Sequence, residues 1–111
     1  MDHIRLSPRL QMVADFVPPC ACVADIGTDH GYLPVWLLQN GIAETAIAAD
    51  INAGPLANAR QSAAAYDLTE RFRFVLADGL RFPDAGDADV ITIAGMGGET
   101  ICAIMAAAPW L

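Results

Sequence analysis

Three aspartates stand where apolar runs of the chain end, and each is a candidate ligand-binding group. They are Asp25, Asp50 and Asp78. Carboxylates accept hydrogen bonds from hydroxyl and amino groups, and they repel phosphate. The pattern therefore favours a ligand that carries hydroxyls, an amine and positive charge, and it disfavours a bare pyrophosphate.

Glycines follow these runs at positions that suit close approach of the backbone to a ligand. Gly27 and Gly31 follow the first run, Gly79 follows the third, and Gly95 follows a fourth run that ends at Ala94. Glycine has no Cβ, so the chain can turn tightly beside a bound molecule. An ordinary turn between a strand and a helix remains the alternative. The dinucleotide fingerprint G-x-G-x-x-G is absent from the first loop, whose two glycines stand at another interval.

The rest of the sequence predicts the elements that must position these residues. Ser7 is placed as an N-cap and Pro8 at the first helical position, so a helix is predicted from there to Val17. Strands are predicted at residues 20–26, 45–51, 72–77 and 90–94, and helices at 33–39, 54–66 and from the last glycines through 108. This alternation predicts an α/β fold with a parallel sheet and helices on its faces. Because ligands bind at the carboxyl ends of such strands, the aspartates and glycines are expected to form one rim.

Composition limits the classes of function. The 111 residues are 55% hydrophobic, which suits one globular domain, and they carry a net charge of −7. The chain contains no lysine, which excludes a Walker A loop, a lysine Schiff base and a broad basic face for nucleic acid. Three cysteines without an export signal predict a cytoplasmic protein with reduced thiols. Of these, Cys20 and Cys22 are expected to be buried and to bind no metal.

Several longer stretches carry a more specific pattern than any glycine motif. They are Leu6-Ser7 with Arg9-Leu10, Ala24-Asp25-Ile26-Gly27 with Asp29-His30 and Tyr32-Leu33-Pro34, Gly54-Pro55, Asp78-Gly79-Leu80, and Ile91-Thr92-Ile93-Ala94-Gly95-Met96-Gly97-Gly98. Together they resemble the bacterial TrmK family. Members of that family methylate N1 of the adenine at position 22 of tRNA, using S-adenosyl-L-methionine.

The resemblance implies a Rossmann-like class I methyltransferase fold, of which the chain would hold the first four strands. Residues 1–111 would then be a partial N-terminal cofactor-binding domain without the family's C-terminal helical extension, and that missing part would hold most of the tRNA. The family's strand order is 3-2-1-4-5-7-6, so the outer edge of the fourth strand would be unpaired. An unpaired edge predicts self-association of the chain.

The rim and the resemblance together predict a cofactor site for S-adenosyl-L-methionine and a neighbouring substrate site, with no metal. The cofactor residues would be Asp25, Gly27, Asp29, Gly31, Asp50, Ile51, Asp78, Gly79, Ala94 and Gly95. The substrate residues would be Arg9, Met96, Gly97 and Gly98. Two other functions remain open, namely a dinucleotide-binding domain of the oxidoreductase type and a non-catalytic nucleotide-binding module.

Two of the aspartates, and one histidine, have competing interpretations. Asp50 would accept hydrogen bonds from the ribose hydroxyls, or it is an acid at the start of the next helix. Asp29 would stabilise the methylated adenine and take its proton, or it caps the helix that begins near Tyr32. His30 is the second candidate for the proton transfer, because histidine changes charge near neutral pH.

Overall fold

The computed structural model describes residues 4–77, 87–94 and 100–104. Within them the chain forms, in order, α1 (Pro8–Phe16), β1 (Cys20–Ile26), α2 (Tyr32–Gln39), β2 (Ala43–Asp50), α3 (Ala53–Ala65), a short 3₁₀ turn (Thr69–Arg71), β3 (Phe72–Leu76), β4 (Val90–Ala94) and β5 (Thr100–Ile104). These described strands form one sheet in the order β3-β2-β1-β4-β5. The predicted α/β architecture is therefore confirmed.

Helix α1 begins where its capping residues predict. The Leu10 amide donates to Ser7 Oγ at 3.3 Å, and Pro8 is the first helical residue. Serine at this position satisfies one of the free N–H groups of the first turn. Val13 and Ala14 are buried, which fixes α1 against the rest of the core.

The first four strands run parallel, with β1 between β2 and β4 and with β3 beside β2. This reproduces the predicted 3-2-1-4 order. Among the described residues, α1, α2 and α3 contribute to one core cluster with the sheet residues Val23, Ala46 and Ala48. Ala24, Ile47 and other residues on the opposite side of the sheet form a second cluster. Strands that are apolar on both faces are typical of the buried centre of a parallel sheet.

The end of the described chain differs from the prediction. A last helix was expected there, but β5 is a strand that pairs antiparallel with β4, with Thr100 opposite Ala94 and Ile104 opposite Val90. Three of the five β5 residues are β-branched, which favours a strand. The pairing also satisfies the backbone groups along the outer edge of β4. The predicted helix and the predicted bare β4 edge are both wrong, and the self-association expected from that edge loses its physical basis.

Two further findings concern the described residues. None of their helices is long and apolar enough to cross a membrane. Cys22 is buried and Cys20 is half-buried, and no group of three potential metal-ligating side chains occurs in the described part of the chain.

Candidate functional site

A cavity of about 240 Å³ lies at the carboxyl end of β1, where α1 faces the loop between β1 and α2. Parallel α/β sheets bind their ligands at this end of the strands. The cavity brings together five predicted site residues, and its wall also contains residues that were not predicted, among them the polar Thr28. The five predicted residues are Arg9, Asp25, Gly27, Asp29 and His30.

Asp25 forms the buried polar centre of this cavity. Its side chain is 5% exposed, and its Oδ1 accepts a hydrogen bond of 2.6 Å from Thr92 Oγ1. Thr92 is fully buried on β4, directly opposite Asp25 in the strand register. The bond therefore joins two strands that are distant in sequence, and it fixes one of the two carboxylate oxygens.

Burial raises the pKa of Asp25 from 3.8 to about 6. The hydrogen bond from Thr92 and the hydroxyl of Thr28 lower the pKa, whereas the charges of Asp50 and Asp29 raise it. Desolvation disfavours the charged form of a carboxyl group, and neighbouring negative charges add to that effect. A cationic ligand group beside Asp25 would therefore relieve an unfavourable charge.

Thr28 places a buried hydroxyl beside the Asp25 carboxylate. The residue is 6% exposed, and its hydroxyl lowers the pKa of Asp25. The Thr28 amide donates to the Ala49 carbonyl oxygen at 3.1 Å, as does the Gly27 amide at 2.8 Å. The Thr28 hydroxyl therefore lies in the cavity wall next to the carboxylate of Asp25.

The loop is held in an unusual backbone conformation. Gly27, Asp29 and Gly31 all have positive φ, at 76°, 54° and 73°. A Cβ on Gly31 would lie 3.0 Å from the Cβ of Ala59 on α3, so this glycine lets the loop and α3 approach closely. Asp29 adopts the left-handed region without being glycine, which is a local strain of the kind found at functional sites.

Asp29 does not cap α2. The N-cap of α2 is Gly31, and no side chain makes a capping hydrogen bond there. The Asp29 side chain is 75% exposed, and its Oδ1 lies 3.8 Å from His30 Nε2. The ring of His30 stacks on Tyr32 with 5.1 Å between centroids. The capping interpretation is therefore wrong, and the proposed catalytic role of Asp29 and His30 stays a prediction.

Asp50 does take part in the start of the next helix. It is 9% exposed, and its Oδ1 accepts from the Asn52 amide at 3.0 Å, where Asn52 is the N-cap of α3. This bond occupies one lone pair, so the second oxygen of the carboxylate remains available in chemical terms for a ribose diol. The neighbouring Ile51 is 61% exposed, and its predicted cofactor contact remains a prediction.

The remaining predicted residues cannot be placed with the others. Ala94 is the last residue of β4, and its backbone pairs with Thr100. Six predicted residues lie outside the described residues. They are Asp78, Gly79, Gly95, Met96, Gly97 and Gly98.

Sequence reasoning did not identify Thr28 or Thr92 as site residues. Thr92 carried a signal, because it is the one polar residue in the predicted strand 90–94. Its partner, however, depends on the register between β4 and β1, which spacing along the chain does not give. Arg9 was assigned to the substrate, and it lines the same cavity as Asp25, so its substrate contact stays a prediction.

The comparisons with known proteins agree with this architecture. The profile of the methyltransferase domain family matches residues 6–111. The tRNA (adenine(22)-N(1))-methyltransferase of Bacillus subtilis (strain 168) is 43% identical over 107 residues, which are 96% of this chain and 45% of that protein. The chain thus spans less than half the length of this relative.

Solved structures give the same result. TrmK of M. capricolum, in complex with the cofactor product S-adenosyl-homocysteine, superposes with a TM-score of 0.75 and 38% identity over 81% of this chain and 41% of that one. The B. subtilis M1A22 tRNA methyltransferase TrmK superposes with a TM-score of 0.74 and 44% identity over 83% of this chain and 39% of that one. These matches confirm the resemblance found in the sequence.

Proposed function

Since the chain belongs to the methyltransferase domain family, we propose that it binds S-adenosyl-L-methionine and forms the cofactor-binding part of a tRNA (adenine(22)-N(1))-methyltransferase. The observation that carries this proposal is the cavity beside the buried Asp25, with the buried Thr28 hydroxyl in its wall. Buried polar groups that converge on a cavity are the usual mark of a ligand site.

The chemistry of the cofactor fits the residues of the rim. S-adenosyl-L-methionine carries an ammonium, a positively charged sulfonium and a ribose diol, and the rim offers Asp25 and Asp50 at two neighbouring strand ends. Asp50 would accept from the ribose hydroxyls, and the exposed side chain of Ile51 would cover part of the adenine. When bound, the cofactor supplies an electrophilic methyl group on sulfur.

The protein has few tasks in the transfer itself. N1 of the target adenine has an in-plane lone pair, and positive charge develops on the base as the bond from N1 to the methyl carbon forms and the bond to sulfur breaks. The exposed carboxylate of Asp29 would stabilise that charge and accept the proton that leaves N6. His30, 3.8 Å from Asp29, would relay the proton to solvent.

The tRNA requires more than this chain provides. A net charge of −7 and the absence of lysine leave no broad positive surface for phosphates. We therefore expect the part that relatives possess beyond the matched region to hold the tRNA, and we expect the protein to work where tRNA is modified, in the cytoplasm.

Calorimetric titration of the chain with S-adenosyl-L-methionine, S-adenosylhomocysteine and NAD tests the cofactor assignment. We expect both sulfur nucleosides to bind and NAD not to bind, because the loop presents carboxylates where a dinucleotide places its pyrophosphate. Binding of NAD alone would replace the proposal with a dinucleotide-binding function.

A second experiment tests whether this chain binds the cofactor while the part beyond the matched region holds the tRNA. The chain alone and a fusion of the chain to the remaining half of the B. subtilis relative are incubated with tRNA, and N1-methyladenosine is measured by mass spectrometry. Only the fusion should form it, and Asp29→Asn in the fusion should slow single-turnover transfer while S-adenosylhomocysteine binding survives. Robust methylation by the chain alone would contradict this part of the proposal.

A further inference from the structure

Asp89 ties the start of β4 to the start of β1 through three hydrogen bonds. Its Oδ2 accepts from the Ala21 amide at 2.9 Å and from the Cys22 amide at 3.1 Å. Its own amide donates to the Cys22 carbonyl oxygen at 2.9 Å. A single carboxylate oxygen thus holds two consecutive amides of β1, and hydrogen bonds to a charged acceptor are stronger than those between neutral groups.

These bonds lie at the amino end of both strands, one step before the first paired residues of β1 and β4. Asp89 precedes Thr92 by three residues, and Cys22 precedes Asp25 by three. The contact between Asp89 and Cys22 therefore belongs to the same alignment that brings Thr92 Oγ1 within 2.6 Å of Asp25 Oδ1.

The apolar side chains of β4 do not choose this register by themselves. Val90 packs in the cluster on the helix side of the sheet, whereas Ile91 packs in the cluster on the other side. Because both faces of β4 are buried and apolar, a shift by one residue would still bury β-branched side chains on each face. That shift would place Ile91 or Ile93 opposite Asp25 and turn the Thr92 hydroxyl to the other face. A polar contact at the start of the strand distinguishes the two registers.

We propose that Asp89 is a positioning residue of the site and acts from the opposite end of the strands. It selects the register in which Thr92 donates to Asp25, and it thereby orients the Asp25 carboxylate. Asp89 does not line the cavity, so it acts on the site only through these two residues. The inference goes beyond the proposed function, and only its ligand-binding readout rests on that function.

A double-substitution cycle measures this action without a ligand. NMR titration of the Asp25 carboxyl carbon gives the pKa of Asp25 in the unsubstituted chain, Thr92→Val, Asp89→Ala and the double variant. With Asp89 in place, Thr92→Val should raise the pKa of Asp25, because the hydrogen bond from Thr92 lowers it. In the Asp89→Ala background the same substitution should cause no shift, because Thr92 no longer faces the carboxylate.

The titration of Asp25 takes place among groups that all these variants leave unchanged. Within the described part of the chain, the charged or titratable groups around Asp25 are Asp29, Asp50, His30, Tyr32 and Arg9. A loss of the shift caused by Thr92→Val therefore reports on the contact between Thr92 and Asp25.

Matched variants separate the position of the Asp89 oxygen from its charge. Asp89→Asn keeps one acceptor oxygen, which suffices because Oδ2 alone accepts from both amides, and it should retain the shift. Asp87→Asn removes the same charge from the same segment, where the Asp87 carboxylate pairs with Arg73 of β3 at 2.9 Å, and it should also retain the shift. If Asp89→Ala does not fold, Asp89→Glu replaces it, because the added methylene displaces the oxygen while the charge remains.

Calorimetry with S-adenosylhomocysteine is the second readout. Asp89→Ala should lower the affinity about tenfold, because a misoriented Asp25 loses a charge-assisted hydrogen bond to the ligand. Asp89→Asn and Asp87→Asn should leave the affinity within about twofold of the unsubstituted chain.

The titrations decide the role of Asp89 whether or not the ligand binds. A shift of equal size with and without Asp89 would show that Thr92 reaches Asp25 unaided, and loss of the shift in Asp89→Asn or Asp87→Asn would assign the effect to charge. Each of these results overturns the inference and leaves the proposed function intact. Failure of the unsubstituted chain to bind S-adenosylhomocysteine would overturn the proposed function alone.

Discussion

β1 and β2 each carry an aspartate at the carboxyl end, where a turn begins, but the two turn regions position it by different means. In the first turn, Asp25 is held by Thr92 of β4, 67 residues away in sequence. In the second turn, Asp50 accepts from the Asn52 amide, two residues away. The first turn also packs on α3 through Gly31 and Ala59.

This difference separates two kinds of site residue. The second turn is a local motif that the sequence contains entirely, and its carboxylate is also part of the start of a helix. The first turn exists as a site only after the sheet has formed, because its partners come from β2, β4 and α3. We therefore expect substitutions in the first turn to couple ligand binding to the stability of the whole domain.

Asp25→Asn should have the largest effect. It should raise the free energy of unfolding and lower the affinity for the ligand. The folded pKa of Asp25 is raised from 3.8 to about 6, so the ionised form destabilises the fold, and that cost is incurred as the pH rises through about 6. Removal of the charge should raise the free energy of unfolding at pH 7.5 by roughly 3 kcal/mol. S-adenosylhomocysteine affinity should fall by about a hundredfold.

Urea unfolding at pH 7.5 and at pH 4 measures the change in the free energy of unfolding. Calorimetry measures the change in S-adenosylhomocysteine affinity. The stabilisation should shrink at pH 4, where Asp25 of the unsubstituted chain is protonated. Equal stabilisation at both pH values would show that the effect does not come from the carboxylate charge.

Gly31→Ala tests the contact between the first turn and α3. The new Cβ would lie 3.0 Å from Ala59 Cβ and 3.2 Å from Ala59 Cα, at a φ of +73°. Steric crowding and backbone strain should together lower the free energy of unfolding by roughly 2–3 kcal/mol.

The matched control is Gly41→Ala, at a φ of +69° with nothing within 4 Å of the new Cβ. Its free energy of unfolding should fall by only about 1 kcal/mol, because backbone strain alone is added. Urea unfolding measures both variants. If their free energies of unfolding fall by the same amount, the contact between the first turn and α3 does not contribute to stability.

Asp50→Ala should weaken ligand binding by tenfold to a hundredfold, since a charge-assisted bond to a ribose hydroxyl contributes roughly 1.5–3 kcal/mol. The fall should be the same for S-adenosylhomocysteine and methylthioadenosine, because both carry the ribose. Calorimetry with the two ligands measures it, and an unchanged affinity in the folded variant would leave Asp50 with only its hydrogen bond to the Asn52 amide.

The smallest effect near neutral pH is the pH dependence of binding. The ammonium of S-adenosylhomocysteine needs ionised Asp25, so affinity should be constant above about pH 7 and fall about tenfold for each pH unit below 6. Among the described residues, the other charged or titratable groups around this end of the sheet are Asp29, Asp50, His30, Tyr32 and Arg9.

His30→Gln removes the imidazole as a competing source of the pH dependence and should leave the midpoint in place. Thr92→Val should move the midpoint to higher pH, because the lost hydrogen bond lowers the pKa of Asp25 in the unsubstituted chain. A midpoint that disappears in His30→Gln would assign the titration to the histidine.

Elements with local signals could be predicted from the sequence. The Ser7 cap marked the start of α1, and the apolar run at residues 20–26 marked β1 to the residue. The predicted last helix failed because glycines after a strand are common to helical and hairpin connections. The choice between them depends on an unpaired strand edge, which is a property of the assembled sheet and not of residues 100–104.

The site shows the same division. Asp25 and Asp50 were recognised because they end apolar runs, which is visible along the chain. Thr92 as the partner of Asp25, and Arg9 as a lining residue of the same cavity, require the strand register and the placement of α1. The capping interpretation of Asp29 failed because the left-handed backbone at Gly31, and not a side chain, begins α2.

Helix α3 acts as a spacer between the two turns. It begins beside the Asp50 turn, and at Ala59 it contacts Gly31 in the other turn. From Ala53 to Ala59 a helix rises about 9 Å, a length that no side-chain rotation can change. Helix α3 thus fixes the distance between Asp50, which would hold the ribose, and the loop after β1. A ligand whose two ends are spaced differently would have to bend, because α3 contacts both turns.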